Sequence, residues 1–345
     1  MEVFSLAELA NAARERLDPA WYDYFAGGAD DELTVRANED EFTRRRLLPR
    51  VLRGSGRRTL VSVLAGTPAS CPVLTAPTAF HRLAHPDGEV ATARAAAATG
   101  TIMILSMAST VAVEDVAATG ATLWFQLYLQ SDRAFTAALV KRAEAAGCRA
   151  LVVTVDSPVF GRHVRDLRNG FTDLPPGFAC ENMRDADGSV RDIEFAAGLG
   201  WPDLDWLRSV TGLPVVVKGV LHPDDARLAV EHGAAAIIVS NHGGRQLDTA
   251  VPTLEALPAV AGAVGGRVPL ILDGGVRRGT DVVKACALGA AAVAVGRPVV
   301  WGLALDGAAG VEWVLTTLRD ELDRALALCG ADSVAALTPE LVVGT

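Results

Sequence analysis

Eight short apolar runs recur between residues 72 and 295, each followed by a polar or glycine-containing turn and then by an alanine-rich stretch of helical spacing. The runs are Pro72 to Ala76, Thr101 to Leu105, Leu123 to Leu129, Leu151 to Val155, Pro214 to Val217, Ala236 to Val239, Pro269 to Leu272 and Ala292 to Val295. Strands that alternate with helices must pair in parallel, because each helix carries the chain back to where the next strand starts. Eight such units over residues 71 to 300 predict an α/β fold of one kind, the (β/α)8 TIM barrel. An open doubly wound sheet more often has fewer strands and a glycine fingerprint after the first.

Two segments stand outside this rhythm. Residues 1 to 70 read as an N-terminal helical extension packed on the barrel, ending in an arginine-rich strap. Residues 71 to 345 form the barrel with its C-terminal helices. Within it, residues 157 to 202 make a long excursion after strand four, and loops of that length in compact domains usually carry function or move.

Composition removes several classes of function. With 41 acidic against 32 basic side chains the net charge is −9, so there is no surplus positive field for phosphate backbones or anionic lipid. The expectation is no nucleic acid and no membrane. The five cysteines are widely spaced and never form a CxxC pair, which suits a reducing cytoplasm rather than a disulfide framework or a zinc site. His81 and His85 lack HExxH spacing, and His222 and His232 fall at helix ends, so no metal is expected.

In such barrels chemistry sits at the C-terminal ends of the strands. The residues there are Thr78, Ser106, Gln126 with Tyr128, Thr154 with Asp156, Lys218, Ser240 with Asn241 and His242, Asp273 with Gly274 and Gly275, and Gly296 with Arg297. Every strand ends in a hydrogen-bonding group, the pattern expected around a large polar ligand. The last two strands run into DGGVRRG and VGRP, where phosphate commonly binds in this fold. Their glycines admit an anion to backbone amides, and Arg277 and Arg297 can pair with it. Surface arginines on glycine-rich turns would read the same way without a ligand, but the location coincides with the phosphate position.

The chain has three lysines among 32 basic residues, which makes Lys218, in VVVKGV, conspicuous. It either snorkels past an apolar wall or sets a fixed positive charge beside an electron-accepting cofactor. SNHGGRQLD places His242 three residues from Arg245, a general base beside a bidentate carboxylate ligand. That combination suits a hydroxy or amino acid substrate. A noncatalytic phosphate-binding barrel, or a flavin isomerase of the type 2 isopentenyl diphosphate isomerase kind, would need neither group.

Taken together, DGGVRRG, SNHGGRQLD, VVVKG, the PTA of Pro77 to Ala79, FQLY and YDYFAGGADDE resemble the FMN-dependent 2-hydroxy acid oxidase and dehydrogenase family, over almost the whole chain. The resemblance implies oxidation of an (S)-2-hydroxy acid to the 2-oxo acid, with FMN as cofactor, dioxygen as electron acceptor, hydrogen peroxide as product and a homotetrameric assembly. Lactate or glycolate oxidases, lactate monooxygenases and soluble dehydrogenases of the family remain alternatives. It also implies roles: His242 as base, Asp156 orienting it, Tyr128 on the reacting oxygen, and Arg245 and Tyr24 on the carboxylate. Hydride and carbanion routes would use the same base. Lys218 would stabilise the reduced flavin. Pro77, Thr78, Ala79, Ser106, Gln126, Thr154 and Ser240 would surround the ring, Ala79 also bordering the substrate. Asp273, Gly274, Gly275, Arg277, Gly296 and Arg297 would hold ribityl and phosphate.

The sequence departs from the family pattern in three places. GRH puts His163, with Arg162 beside it, where the family has a second carboxylate-binding arginine. Ala108 replaces the bulky aromatic of glycolate oxidases and leaves room for an aryl group. The excursion is far too short for a membrane-anchoring insert.

Overall fold

The computed structural model describes residues 3–54, 56–185, 187–196 and 198–344. Eight parallel strands close into a barrel: β1 (Val73–Thr75), β2 (Ile102–Ser106), β3 (Thr122–Leu127), β4 (Ala150–Thr154), β5 (Val215–Val220), β6 (Ala236–Val239), β7 (Leu270–Asp273) and β8 (Ala292–Val295). All eight apolar runs became barrel strands. Nearly every strand residue is buried because alternate side chains enter the barrel and the rest meet the helices. Leu74, Ile102, Ile104, Trp124, Val152 and Ile238 fill the interior, while Met103, Leu105, Phe125 and Val153 belong to the layer under the helices.

The segment before β1 closes the bottom of the barrel. A hairpin, Ser62–Leu64 with Thr67–Ala69, inserts the fully buried Leu64 into the interior cluster, and the Trp124 indole donates to the Thr67 hydroxyl at 3.1 Å. Farther upstream, Arg46 and Leu47 pair antiparallel with Val343 and Val342, tying the strap to the chain's end.

Three helices precede the strap: α1 (Leu6–Arg16), capped by Ser5, α2 (Pro19–Ala26), capped by Asp18, and α3 (Leu33–Arg44). Helix α2 packs beside a short helix of the excursion, α4 (Val164–Asn169), and α3 lies against the His242–Gly244 turn. Arg165 binds Asp23 at 3.1 Å and Glu32 at 2.6 Å, and Asn169 donates to Asp23 at 2.9 Å. The excursion therefore fastens the N-terminal extension over the strand ends. It finishes as the helix Trp201–Ser209 begins.

The last long helix, Arg297–Cys329, is long and apolar enough to cross a membrane by length and composition. It breaks at Asp306 and Gly307 and packs against α1 and the helix Gly88–Thr99, with its apolar residues largely buried.

Candidate active site

His242 stands at the centre of the C-terminal face. Its Nδ1 meets Asp156 Oδ1 at 2.9 Å and its Nε2 faces the Tyr128 hydroxyl at 3.5 Å. Its backbone is left-handed, with φ of 59°, a conformation that costs a non-glycine residue about 1 to 3 kcal/mol and is held by surrounding contacts. One such contact is the His242 N–H, which donates to Ser240 Oγ at 3.0 Å. Burial pushes the Asp156 carboxyl up, but His242 and Lys218 pull it down further, so it stays below the usual aspartate range. An ionised Asp156 fixes the hydrogen on Nδ1 and leaves the Nε2 lone pair facing the pocket. Burial raises the Tyr128 hydroxyl well above the ordinary range, with Asp156 adding to the effect, so Tyr128 is a neutral donor.

Asp156 reaches His242 because of the residue that follows Lys218. Gly219 has φ of 108°, and a Cβ there would lie 2.6 Å from the Asp156 side chain. The pairing of β5 with β6 shifts between Lys218 and Val220, so this glycine makes a bulge that admits the carboxylate. Lys218, 4% exposed, does not snorkel to solvent; it donates to Ser240 at 3.0 Å and pairs with Asp273 at 3.3 Å.

On β2 to β4 a polar chain crosses the strand ends. Ser106 donates to Gln126 Oε1 at 3.1 Å, and Gln126 Nε2 donates to Thr154 Oγ1 at 3.0 Å. All three are buried. In the loop after β1, the Thr78 hydroxyl meets His81 Nε2, whose Nδ1 lies 3.0 Å from Thr92 Oγ1. His81 is thus a buried part of the wall carrying Pro77, Thr78 and Ala79, a role its loop sequence did not suggest.

Arg245 and Tyr24, the residues expected at a substrate carboxylate, lie together. Arg245 Nη1 donates to the carbonyls of Tyr24 at 2.6 Å and Gly27 at 3.0 Å, and its guanidinium lies 4.9 Å from the Tyr24 ring centre. Burial lifts the Tyr24 hydroxyl to about 12 despite Arg245, which keeps it neutral. Tyr24 stacks on Phe80 at 5.3 Å and tilts against Phe171 at the same distance. On the other side Tyr128 meets Phe195 edge-on at 5.0 Å, and Phe195 meets Phe160 at 4.4 Å. Phe80, Phe171 and Phe195 escaped sequence analysis because rings scattered over a loop and an excursion carry no periodic signal. Ala108 is buried, and its carbonyl accepts from Phe80 N at 3.3 Å.

Arg162 and His163 do not face this pocket as carboxylate ligands. Arg162 is largely exposed and 3.6 Å from Asp30. His163 places Nε2 at 2.9 Å from the Arg245 carbonyl and Nδ1 at 3.1 Å from Asp166, so both ring nitrogens are already engaged.

The loops expected to hold phosphate follow the last two strands, where Gly275, Arg277 and Arg297 line a cavity of about 740 Å³ with Arg278 and Trp301. Arg297 gives its guanidinium to the carbonyls of Phe25, Ala26, Gly27 and Gly243, and Arg277 binds Glu39 at 2.7 Å. Burial, with Arg245 and Arg277 nearby, works against the charge on Arg297. An anion placed among these arginines relieves that repulsion. Asp273 Oδ1 is buried without a partner, an acceptor suited to a ribityl hydroxyl. These residues fit a flavin mononucleotide.

Comparison with known proteins settles the family. Residues 13–344 match the family model described as FMN-dependent dehydrogenase. The chain belongs to that family. It is 47% identical to the L-lactate oxidase of Nostoc sp., covering 96% of this chain and 95% of the relative, and 47% identical to the glycolate oxidase of Spinacia oleracea, covering 97% and 94%. Among solved structures, a mandelate oxidase with benzoyl-formic acid superposes with a TM-score of 0.93 at 44% identity, covering 99% of this chain and 98% of that one. The fold, FMN as cofactor and 2-hydroxy acid oxidation as the class of reaction stand on these matches.

Proposed function

We propose that the enzyme oxidises an aryl-bearing (S)-2-hydroxy acid, (S)-mandelate or (S)-4-hydroxymandelate, to the aryl 2-oxo acid, as a 4-hydroxymandelate oxidase does. The observation that carries this reading is the small side chain of the buried Ala108, whose carbonyl accepts from Phe80 N, together with the rings of Phe80, Tyr24 and Phe171, of which Tyr24 stacks on Phe80 and tilts against Phe171. A neighbour of 43% identity and TM-score 0.92, a Y128F mutant of mandelate oxidase, has been solved with (S)-mandelic acid, which supports the same side-chain class.

In this reading Arg245 binds the substrate carboxylate, and the neutral Tyr24 and Tyr128 hydroxyls donate to the carboxylate and the reacting oxygen. His242 Nε2 takes the hydroxyl proton, and Asp156 offsets the positive charge that the imidazole gains. FMN, when bound, would supply the two-electron acceptor, with dioxygen as the final acceptor and hydrogen peroxide as the product. Lys218 would offer its positive charge to the flavin, Ser106, Gln126, Thr154, Ser240 and the Pro77 to Ala79 loop would position the ring, and Asp273 to Arg277 with Gly296 and Arg297 would hold the remainder.

The working form in this reading is a cytoplasmic homotetramer, in keeping with five free thiols, four of them buried, and with the family resemblance. Anaerobic mixing with a panel of 2-hydroxy acids, followed by admission of air, tests the assignment. Flavin bleaching should be fastest with mandelate or 4-hydroxymandelate, and air should restore colour with peroxide formed. Faster bleaching by lactate or glycolate would move the substrate to the small acids of the family.

A further inference from the structure

The contact between Asp156 and His242 continues outward through two residues that have no part in the reaction as described. Ser157, buried just past β4, donates its hydroxyl hydrogen to Asp156 Oδ1 at 3.1 Å, the same oxygen that meets His242 Nδ1 at 2.9 Å. Gln246, next to Arg245 in the loop after β6, donates from Nε2 to Ser157 Oγ at 2.6 Å. Its Oε1 accepts from the Gly161 N–H at 2.7 Å.

The outer end of this chain of bonds fixes its direction. A backbone N–H can only donate, so the Gln246 atom facing Gly161 is the oxygen and the atom facing Ser157 is the NH2 group. Against that donor Ser157 Oγ must accept, which leaves its one hydrogen for Asp156. Glycine at 161 permits the approach, since a Cβ there would lie 2.1 Å from the Arg245 carbonyl oxygen and 3.0 Å from Gln246 Cα. At the inner end, Asp156 Oδ2 is buried with no partner among the described residues, so both bonds to the carboxylate fall on Oδ1. Lys218 draws on the same carboxylate through its charge. Without the Ser157 bond, His242 alone would hold Oδ1 against that pull, and the carboxylate could turn about its Cβ–Cγ bond.

We propose that Gln246 and Ser157 are positioning residues for the reacting histidine, a relay in which the Gln246 amide sets the direction of the Ser157 hydroxyl and that hydroxyl fixes the Asp156 carboxylate against His242. The proposal rests on His242 being the base, as argued above. Both residues act through Asp156, so their loss falls on the rate of flavin reduction more than on binding of the acid.

Because Ser157 also neighbours the Tyr128 hydroxyl, Gln246→Glu is the decisive variant. It keeps an oxygen for the Gly161 N–H, and with it the tie between the two loops, but presents a second acceptor to Ser157, whose hydrogen then turns outward to the new carboxylate. Anaerobic reduction of the FMN-loaded enzyme by saturating mandelate (or lactate, should that be the faster acid) should slow roughly fivefold in Gln246→Glu and in Ser157→Ala, the scale of one hydrogen bond. The dissociation constant of benzoylformate, read from the visible flavin spectrum, should change by less than about twofold. In a Ser157→Ala background Gln246→Glu should slow the reaction no further, since the hydrogen it redirects is gone. Equal slowing by Gln246→Glu in both backgrounds assigns the effect to the added charge and overturns the relay. An unchanged rate in Gln246→Glu overturns it too, as does a slowing matched by an equal loss of benzoylformate binding, the mark of a merely structural tie. Should Gln246→Glu fail to retain FMN, Ser157→Ala must show the slowing with benzoylformate binding kept, or the proposal falls. Failure of His242 as the base is separable, because it would appear as flavin reduction by His242→Ala at the original rate, whereas failure of the relay alone leaves His242→Ala inactive and Gln246→Glu as fast as the original protein.

Discussion

Asp156 and His242, 86 residues apart in the chain, meet at 2.9 Å through Oδ1 and Nδ1. The contact decides which ring nitrogen carries the hydrogen, and with it whether Nε2 can accept a proton. Asp156→Asn should slow anaerobic flavin reduction by roughly 10²-fold, and His242→Ala by at least as much, with FMN retained in both; rapid-mixing absorbance checks this. Tyr128→Phe should be milder, since it removes one hydrogen bond and no proton acceptor. The carboxyl of Asp156 is lower in the folded protein than in a free chain, so it stabilises the fold above the ordinary aspartate range and that contribution fades as acid protonates it. Asp156→Asn should therefore lower Tm at pH 7 more than at pH 3.

Lys218→Met should destabilise the FMN-free protein by about 3 to 5 kcal/mol in denaturant titration, because Asp273 would be left as a buried charge without its partner. Lys218→Met combined with Asp273→Asn should recover much of that loss. A Lys218→Met protein as stable as the original would show that the pair contributes little.

Ala108→Trp should fill the space beside Phe80 and Tyr24. Burying an aryl group instead of a methyl contributes about 2 kcal/mol at ~25 cal/mol per Å², so mandelate should lose roughly 30-fold against lactate in kcat/KM. Unchanged selectivity would place the aryl pocket elsewhere.

His81 offers a pH test away from the reacting groups. Burial lowers its basicity relative to an unfolded chain, so the unfolded state binds the proton more readily. Its neutral folded form is at no disadvantage above the free-histidine range, and stability is lost as pH falls through that range toward the folded value. The Tm of His81→Gln should thus gain on the original as pH is lowered from about 8 to about 5. A constant difference between the two would show that His81 takes no part in the acid response.

Much of this was legible because parallel strands buried on both faces must be continuous apolar runs, and a polar residue ending such a run has few places to go but the C-terminal face. That logic exposed Lys218, Asp273, Gln126 and Thr154. It failed where position depends on which distant segment arrives. The Arg162 and His163 pair looked like carboxylate ligands in linear order, yet α4 turns one outward and the other onto a carbonyl. Arg297 looked free to take phosphate, and the end of α2 supplies it with three carbonyls as well. Phe195 joins the pocket through its contacts with Tyr128 and Phe160, something no local pattern encodes.

The clasp of Arg165 and Asn169 onto Asp23 and Glu32 has a practical consequence for changing this enzyme. The groups fitted to the cofactor sit mostly on strand ends and their turns, whereas the side chains that would greet the substrate's variable part ride on α2, the loop after β1 and the excursion. Those three pieces can be exchanged together as a cassette from a relative, while the eight strands remain as they are. Exchanging α2 alone would break the clasp and mismatch its partner, so shuffling experiments should keep residues 19–32 and 160–171 from the same parent.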